Sequence, residues 1–256
     1  MQRREFIAAT GAGTAAALAG CTGALGAVPA PAVPTSRLEE GGWVLREETQ
    51  ETVFEESYGP VTVTAKAHTL LYGDAALRRS LREKTLGRVD GRVAMFAATR
   101  IAFSPNLVDL PGGIATDPIL DRTEAAARAQ FESQMRAAGL TDVTRTDTGT
   151  LAIDTGETAR LTEYEATYPV GDLTFDVTEE ESIALPIGGI AVASDLAVWQ
   201  HGGSVLVAGG AYPAETVDET VTTDLSSAIS VTVDVHLGLD PASYRRELRG
   251  LITSVE

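Results

Sequence analysis

The sequence predicts an α+β domain, a mainly antiparallel twisted sheet with about three helices packed on it. Apolar and polar residues alternate over Val61–Leu71 and again over Ile229–Leu237, the two-residue period of half-buried strands. Most of the strand candidates are separated by short runs of Gly, Pro, Asp or Thr. Such runs suit hairpin turns between antiparallel neighbours, whereas parallel neighbours need long crossovers. Only three stretches combine a helical period with capping residues. A β-sandwich with peripheral helices is the alternative arrangement of the same elements.

In chain order, residues 22–36 hold Pro29, Pro31 and Pro34 among Ala, Gly and Val. That composition predicts a semi-rigid tether, with the folded part beginning near Leu38 to Trp43. Trp43–Ser57 is expected to pair with Val61–Leu71 through a turn at Tyr58-Gly59-Pro60. Val61, Val63, Ala65 and Ala67 then face one way, and Thr62, Thr64, Lys66 and His68 the other. Asp74 caps a helix from Ala75 to about Leu86, with Leu77, Leu81 and Thr85 on one stripe and Gly87 ending it. Arg92–Phe103 reads as a strand and Ser104–Leu120, with its prolines and glycines, as a loop. Asp121 is the expected N-cap of the next helix, with Glu124 in a capping-box position. Ala127, Phe131 and Met135 form its apolar stripe. Gly139 ends it, and Leu140 folds back onto Met135.

A run of strands follows, at Val143–Thr146, Thr150–Asp154, Thr158–Tyr168, Leu173–Glu181, Gly189–Gln200 and Ser204–Tyr212. The fifth is apolar on both sides, which predicts a central strand covered on both faces. Ala214–Asp224, acidic and rich in Thr, is expected to be a loop. After the last strand, Asp240 and Pro241 supply the N-cap and first position of a helix to about Ser254. The helices are expected on one face of the sheet.

The N-terminus carries a different kind of information. Arg3-Arg4 precede Phe6-Ile7, an Ala/Gly-rich apolar run follows, and Leu18-Ala19-Gly20-Cys21 closes it. A charged start, a short apolar middle and a small-residue cleavage site describe a secretory signal. The arginine pair with Phe6 resembles a twin-arginine export signal. The closing tetrapeptide resembles a lipobox, which implies lipid on Cys21, the single cysteine of the chain. The run from Phe6 to Gly20 is too short, and too rich in Gly and Ala, to span a ~30 Å hydrocarbon core. The expected organisation is therefore a signal over 1–20, a tether over 21–37 and one domain over 38–256. The partners so implied are the twin-arginine export machinery and the membrane, reached through the lipid on Cys21. The implied location is the outer face of the cytoplasmic membrane.

The charge balance is the second constraint. The chain has 20 basic and 36 acidic residues, a formal charge of −16. Losing Arg3, Arg4 and Glu5 with the signal takes these to 18 and 35, a net of −17. Nucleic acid is excluded as a partner by repulsion, and so is electrostatic docking on an anionic membrane. Lysine occurs only at Lys66 and Lys84. An acidic, lysine-poor surface behind such a signal resembles the secreted lipoproteins of unknown function of halophilic archaea. In molar salt the Debye length falls to ~3 Å, so the resemblance implies a fold whose self-repulsion is screened by its medium.

Candidate chemistry is sparse. Asp-Thr-Gly occurs at Asp147-Thr148-Gly149 and Asp154-Thr155-Gly156, and the second copy resembles the active-site turn of aspartic proteases. Those enzymes oppose two such aspartates across a symmetric interface. Copies seven residues apart at successive turns cannot meet within one chain, and turn chemistry explains them. Asp234 and His236 share the polar face of one strand and could be half of a metal site, with His68 joining if the first and last strands were neighbours. Solvated polar faces are the simpler account. His201-Gly202-Gly203 reads as a hairpin turn. Glu179-Glu180-Glu181 with Asp172 and Asp176 lacks a calcium-loop spacing and reads as a solvated acidic edge. No nucleophile elbow, phosphate-binding loop or dinucleotide fingerprint is present, and no cofactor is implied. A non-catalytic binding or interaction module is expected, its protein or ligand partner left open. The alternative is a surface hydrolase whose site is dispersed along the sequence.

Overall fold

The computed structural model describes residues 27–58, 61–85, 87, 89, 93–106, 116–176, 182–186, 188–226 and 229–256. Its elements in chain order are α1 (Thr35–Glu40), β1 (Trp43–Tyr58), β2 (Val61–Asp74), α2 (Ala75–Lys84), β3 (Met95–Ser104) and α3 (Thr116–Ala137). There follow β4 (Thr141–Ala152), β5 (Thr158–Pro169), β6 (Asp172–Asp176), β7 (Ser182–Pro186), β8 (Gly189–His201) and β9 (Ser204–Pro213). The chain closes with β10 (Asp218–Ser226), β11 (Ile229–His236) and α4 (Pro241–Thr253). Seven strands form one antiparallel sheet in the order β1-β2-β3-β9-β8-β5-β4, while β6–β7 and β10–β11 are separate hairpins. The fold is α+β, as the alternation predicts.

Local signals explain the best-formed elements. Asp74 accepts a hydrogen bond from the Leu77 N–H at 2.8 Å, and Asp240 from the Ser243 N–H at 3.1 Å, so each caps its helix as its position predicts. At the end of α3, Gly139 adopts φ +92° and the Leu140 N–H reaches the Met135 carbonyl at 3.1 Å. Both side chains are buried there, which completes the expected Schellman ending. Strand β8 is buried on both faces from Val192 to Trp199 apart from Ala193.

Alternation along each strand sorts the interior into two layers. On one face Leu70, Tyr72, Phe96, Ala98, Trp199, Leu206 and Ala208 pack under α2, α4 and the start of the chain. Trp43 and Tyr72 meet Phe96, at ring separations of 6.3 and 5.9 Å. On the other face Val63, Ala65, Ile101, Tyr164, Val192 and Val205 join Phe131 and Met135 of α3. At two adjacent glycines of β9 a Cβ would meet a carbonyl of a neighbouring strand, Met95 or Asp195, as well as a helix side chain. A Cβ on Gly210 would lie 2.6 Å from Leu248 of α4, and one on Gly209 would lie 3.2 Å from the Phe131 ring.

Several expectations are corrected. Helices lie on both faces rather than one, and α1 makes a fourth among the described residues. Residues 28–34, placed in the tether by composition, lie against the domain. Val28 and Pro31 are buried, and Ala32 and Glu256 exchange two backbone hydrogen bonds of 2.6 and 2.9 Å. Prolines forbid regular structure there without preventing apolar packing. Helix α3 begins at Thr116, five residues before the expected cap, because Pro118 falls in the first turn, where a missing N–H costs nothing. Asp147-Thr148-Gly149 lies within β4, beside a register irregularity between Arg145 and Asp147, and is not a turn. Of the strand expected over Leu173–Glu181, residues 173–176 lie in β6, which pairs with a further strand, β7, while 177–181 lie outside the described residues. The expected loop over Ala214–Asp224 contains most of β10, whose β-branched Thr and Val residues pair with β11, Thr222 facing Thr232 at 2.9 Å between hydroxyls.

Candidate functional site

The two layers differ in completeness, and the incomplete one holds a cleft of about 610 Å³. Helix α3 packs over β4 and β8, towards one side of the sheet. It is held there by Arg160 of β5, whose guanidinium pairs with Asp121 at 2.8 Å and Glu124 at 2.6 Å. Those two carboxylates hold Arg160 well above its ordinary pKa. The capping-box pair of the sequence therefore anchors the helix from inside rather than starting it. Among the described residues no helix covers the β1–β2–β3 side of this face.

The floor of the cleft is built by strand register. Thr49, Thr69, Thr99 and Val207 form one row across β1, β2, β3 and β9. Ala97, Gly209 and Leu196 form the next row, and Glu51, Ala67 and Ile101 a third. Thr69, Ala97, Thr99 and Val207 are partly exposed although they sit in the second, third and fourth strands of seven. Their immediate neighbours Ala98 and Leu206, facing the other way, are fully buried. The Thr69 and Thr99 hydroxyls are hydrogen-bonded at 2.9 Å. One wall is α3, through Thr123, Ala126, Ala127, Gln130, Phe131 and Gln134. The other is Thr52, Val53 and Phe54 of β1, where a register irregularity between Thr52 and Phe54 bends the strand. Phe54 is 5.9 Å from Phe103 at that end.

Chemically the lining is aliphatic, aromatic, hydroxyl and amide. Its ionisable members are Glu51 and Arg122, both exposed. Among the described residues no histidine, cysteine, serine or aspartate contributes to it.

The opposite face holds the main buried charges. Asp195 of β8 is 2% exposed and accepts from Arg249 Nε of α4 at 2.7 Å. Arg249 also donates to Glu163 of β5, which Arg245 reaches at 3.1 Å. The hydrogen bond to Asp195 is the main reason the Arg249 guanidinium is held above its ordinary pKa. This network ties α4 to the sheet, and each carboxylate in it is already partnered.

The residues singled out from sequence do not converge. Arg3, Arg4, Phe6, Cys21 and Glu179–Glu181 lie outside the described residues. Asp154 is exposed in the β4–β5 turn, 3.3 Å from Arg37, with its N–H on the Thr253 carbonyl at 2.9 Å. Asp147, in mid-strand, is exposed as well. His68 is buried instead of solvated. Its Nδ1 lies 2.7 Å from the Val28 carbonyl and its Nε2 2.8 Å from Glu48. Asp234 and His236 are exposed on β11, in a different sheet from His68, and pair with Thr220 and Asp218 at 2.7 Å each. His201 does sit in the β8–β9 turn, with Gly202 and Gly203 at positive φ. Its Nδ1 is 2.6 Å from Glu157, whose carboxyl is lowered first by the Thr155 hydroxyl and then by His201. Among the described residues no three His, Cys, Asp or Glu side chains are grouped to hold a metal ion.

Comparison with known proteins places the chain in a family. The profile of a domain of unknown function, DUF6517, matches residues 30–256, and the chain belongs to that family. No curated protein and no solved structure matches it.

Proposed function

We propose, for this member of the family, a lipid-anchored cell-surface domain of a halophilic archaeon that holds a small, largely apolar ligand and does not transform it. The observation that carries the proposal is the set of uncharged, partly exposed floor residues on the inner strands of the sheet, Thr69, Ala97, Thr99 and Val207. Sheets normally bury such positions, and a cleft of about 610 Å³ falls within the ~300–1,000 Å³ of small-molecule sites. Aliphatic, aromatic, amide and hydroxyl groups supply contact area and hydrogen bonds. They do not form the nucleophile–base pair of a covalent hydrolase. Anchoring rests on Arg3, Arg4, Phe6 and Cys21, and the halophilic setting on the acidic, lysine-poor composition.

The neutral fluorophore N-phenyl-1-naphthylamine tests the cleft. It should brighten on binding the purified protein. Ala126→Trp, on an exposed position of the helical wall, should weaken it about tenfold or more, ~1.4 kcal/mol, with an unchanged melting midpoint. No brightening with the wild type, or equal affinity in the variant, contradicts the proposal. For the anchor, Cys21→Ser should move the protein from the membrane fraction to the medium or block its processing.

A further inference from the structure

We infer that the ligand of the cleft is an uncharged hydrocarbon chain bearing a single hydroxyl or carbonyl group, which hydrogen-bonds to the Thr69–Thr99 pair. The inference rests on the cleft being the binding site and adds the class of molecule that fits it.

Three properties of the cleft select that class. The first is size. About 610 Å³ falls in the ~300–1,000 Å³ range of small-molecule sites and suits a flexible chain. The second is charge. The floor rows contribute Thr, Val, Ala, Gly, Leu and Ile, and the one floor-row carboxylate, Glu51, is exposed on the edge strand. An ionised group driven to the centre of the floor would lose its hydration there, since the two charged groups of the lining, Glu51 and Arg122, are both exposed. The formal charge of −16 further disfavours anions at the mouth.

The third is the threonine pair. One hydroxyl donates to the other across 2.9 Å. The acceptor threonine then keeps its own O–H to donate, and the donor threonine keeps its lone pairs. The pair thus offers one donor and spare acceptors at the middle of an otherwise apolar floor. A ligand hydroxyl satisfies both functions, and a ligand carbonyl satisfies the donor. A purely hydrocarbon ligand would cover that donor and leave it unpaired, which carries a penalty. Register alone brings the two residues together, since Thr69 and Thr99 are direct partners on β2 and β3.

Displacement of N-phenyl-1-naphthylamine by decan-1-ol, decanoate and decylammonium tests the inference. Decan-1-ol should compete best, with each ion at least about tenfold weaker. The double variant Thr69→Val with Thr99→Val keeps the shape and removes both hydroxyls. It should still bind the fluorophore and should lose about fivefold for decan-1-ol, while Thr69→Ser should retain wild-type affinity. Equal competition by the ions, or unchanged decan-1-ol affinity in the valine pair, overturns the inference and leaves the cleft as a binding site. A dimer that forms with rising concentration and blocks the fluorophore would place a second copy in the cleft, which also overturns it. If the fluorophore never binds, the cleft itself fails as a site, and the inference fails with it.

Discussion

On one face of the central strand β9, Leu206 is fully buried beneath a layer shared by α2, α4 and the start of the chain. On the other face its neighbour Val207 lies partly open on the floor of the cleft. The same contrast holds on β3, where Ala98 is sealed and Ala97 is open. The two faces share one backbone, one set of hydrogen bonds and similar strand chemistry. They differ in what lies above them. Among the described residues, three helices and a buried charge network cover the first face, whereas one helix, α3, covers the second and is held to one side by Arg160. Stability should therefore be concentrated on the sealed face, and ligand binding on the open one.

The largest expected effect comes from the charges that seal the first face. Arg249→Met leaves the carboxylate of Asp195, 2% exposed, without its principal partner. Breaking a buried pair from one side costs about 3–5 kcal/mol, read from a denaturant melt. An effect below about 1 kcal/mol would mean that α4 is not held by this network. Next is the pair of neighbours on β9. Leu206→Ala should cost about 3 kcal/mol, and Val207→Ala about 1 kcal/mol or less, because a partly exposed site leaves little cavity. Equal costs would show that both faces are equally packed.

The smallest effect concerns protonation on the sealed face. Burial pushes the Glu247 carboxyl up, the Trp43 indole N–H at 2.6 Å pulls it back, and the charge of Asp74 raises it again. With a raised folded pKa, the folded state binds the extra proton more readily. Stability is therefore present at low pH and falls as pH rises from the unfolded value of about 4.3 through the folded one. Glu247→Gln keeps an acceptor for Trp43 and removes the charge. The difference in melting midpoint, variant minus wild type, should be near zero at about pH 4 and grow positive towards pH 7. A constant difference would remove the titration of Glu247 from the account.

Much of the sealed face was legible in the sequence. Asp74 and Asp240 announce α2 and α4 because a cap is a local arrangement within three residues, and the alternation of β2 and β11 sorts their side chains directly. The open face was not legible, because it is defined by distance along the chain. Thr49, Thr69 and Thr99 become neighbours only through the registers of two strand pairs, and separately each is an ordinary strand residue. The position of α3 depends on Arg160, which lies 36 residues from Glu124 in sequence. Gly209 and Gly210 sit unmarked inside the expected Ser204–Tyr212 strand, and nothing in the sequence shows that a Cβ on either would crowd a neighbouring strand as well as Phe131 or Leu248. His68 read as a solvated residue because its cover, Val28, sits in a proline-rich stretch that composition assigns to a tether. Strand β10 was hidden by its acidic residues, which mark loops more often than hairpins.

The most direct test of the contrast enlarges two neighbouring alanines of β3, one on each face. Ala98 is fully buried, so Ala98→Leu must overpack the sealed layer, at a cost of about 1–3 kcal/mol, while leaving fluorophore affinity within about twofold. Ala97 lies on the cleft floor, so Ala97→Leu should leave the melting midpoint near that of the wild type and weaken N-phenyl-1-naphthylamine about tenfold. Stability and binding measured on both variants should therefore change one at a time. If Ala97→Leu destabilises the protein as much as Ala98→Leu and leaves the fluorophore bound, the second face is as closed as the first and the cleft is not a binding site.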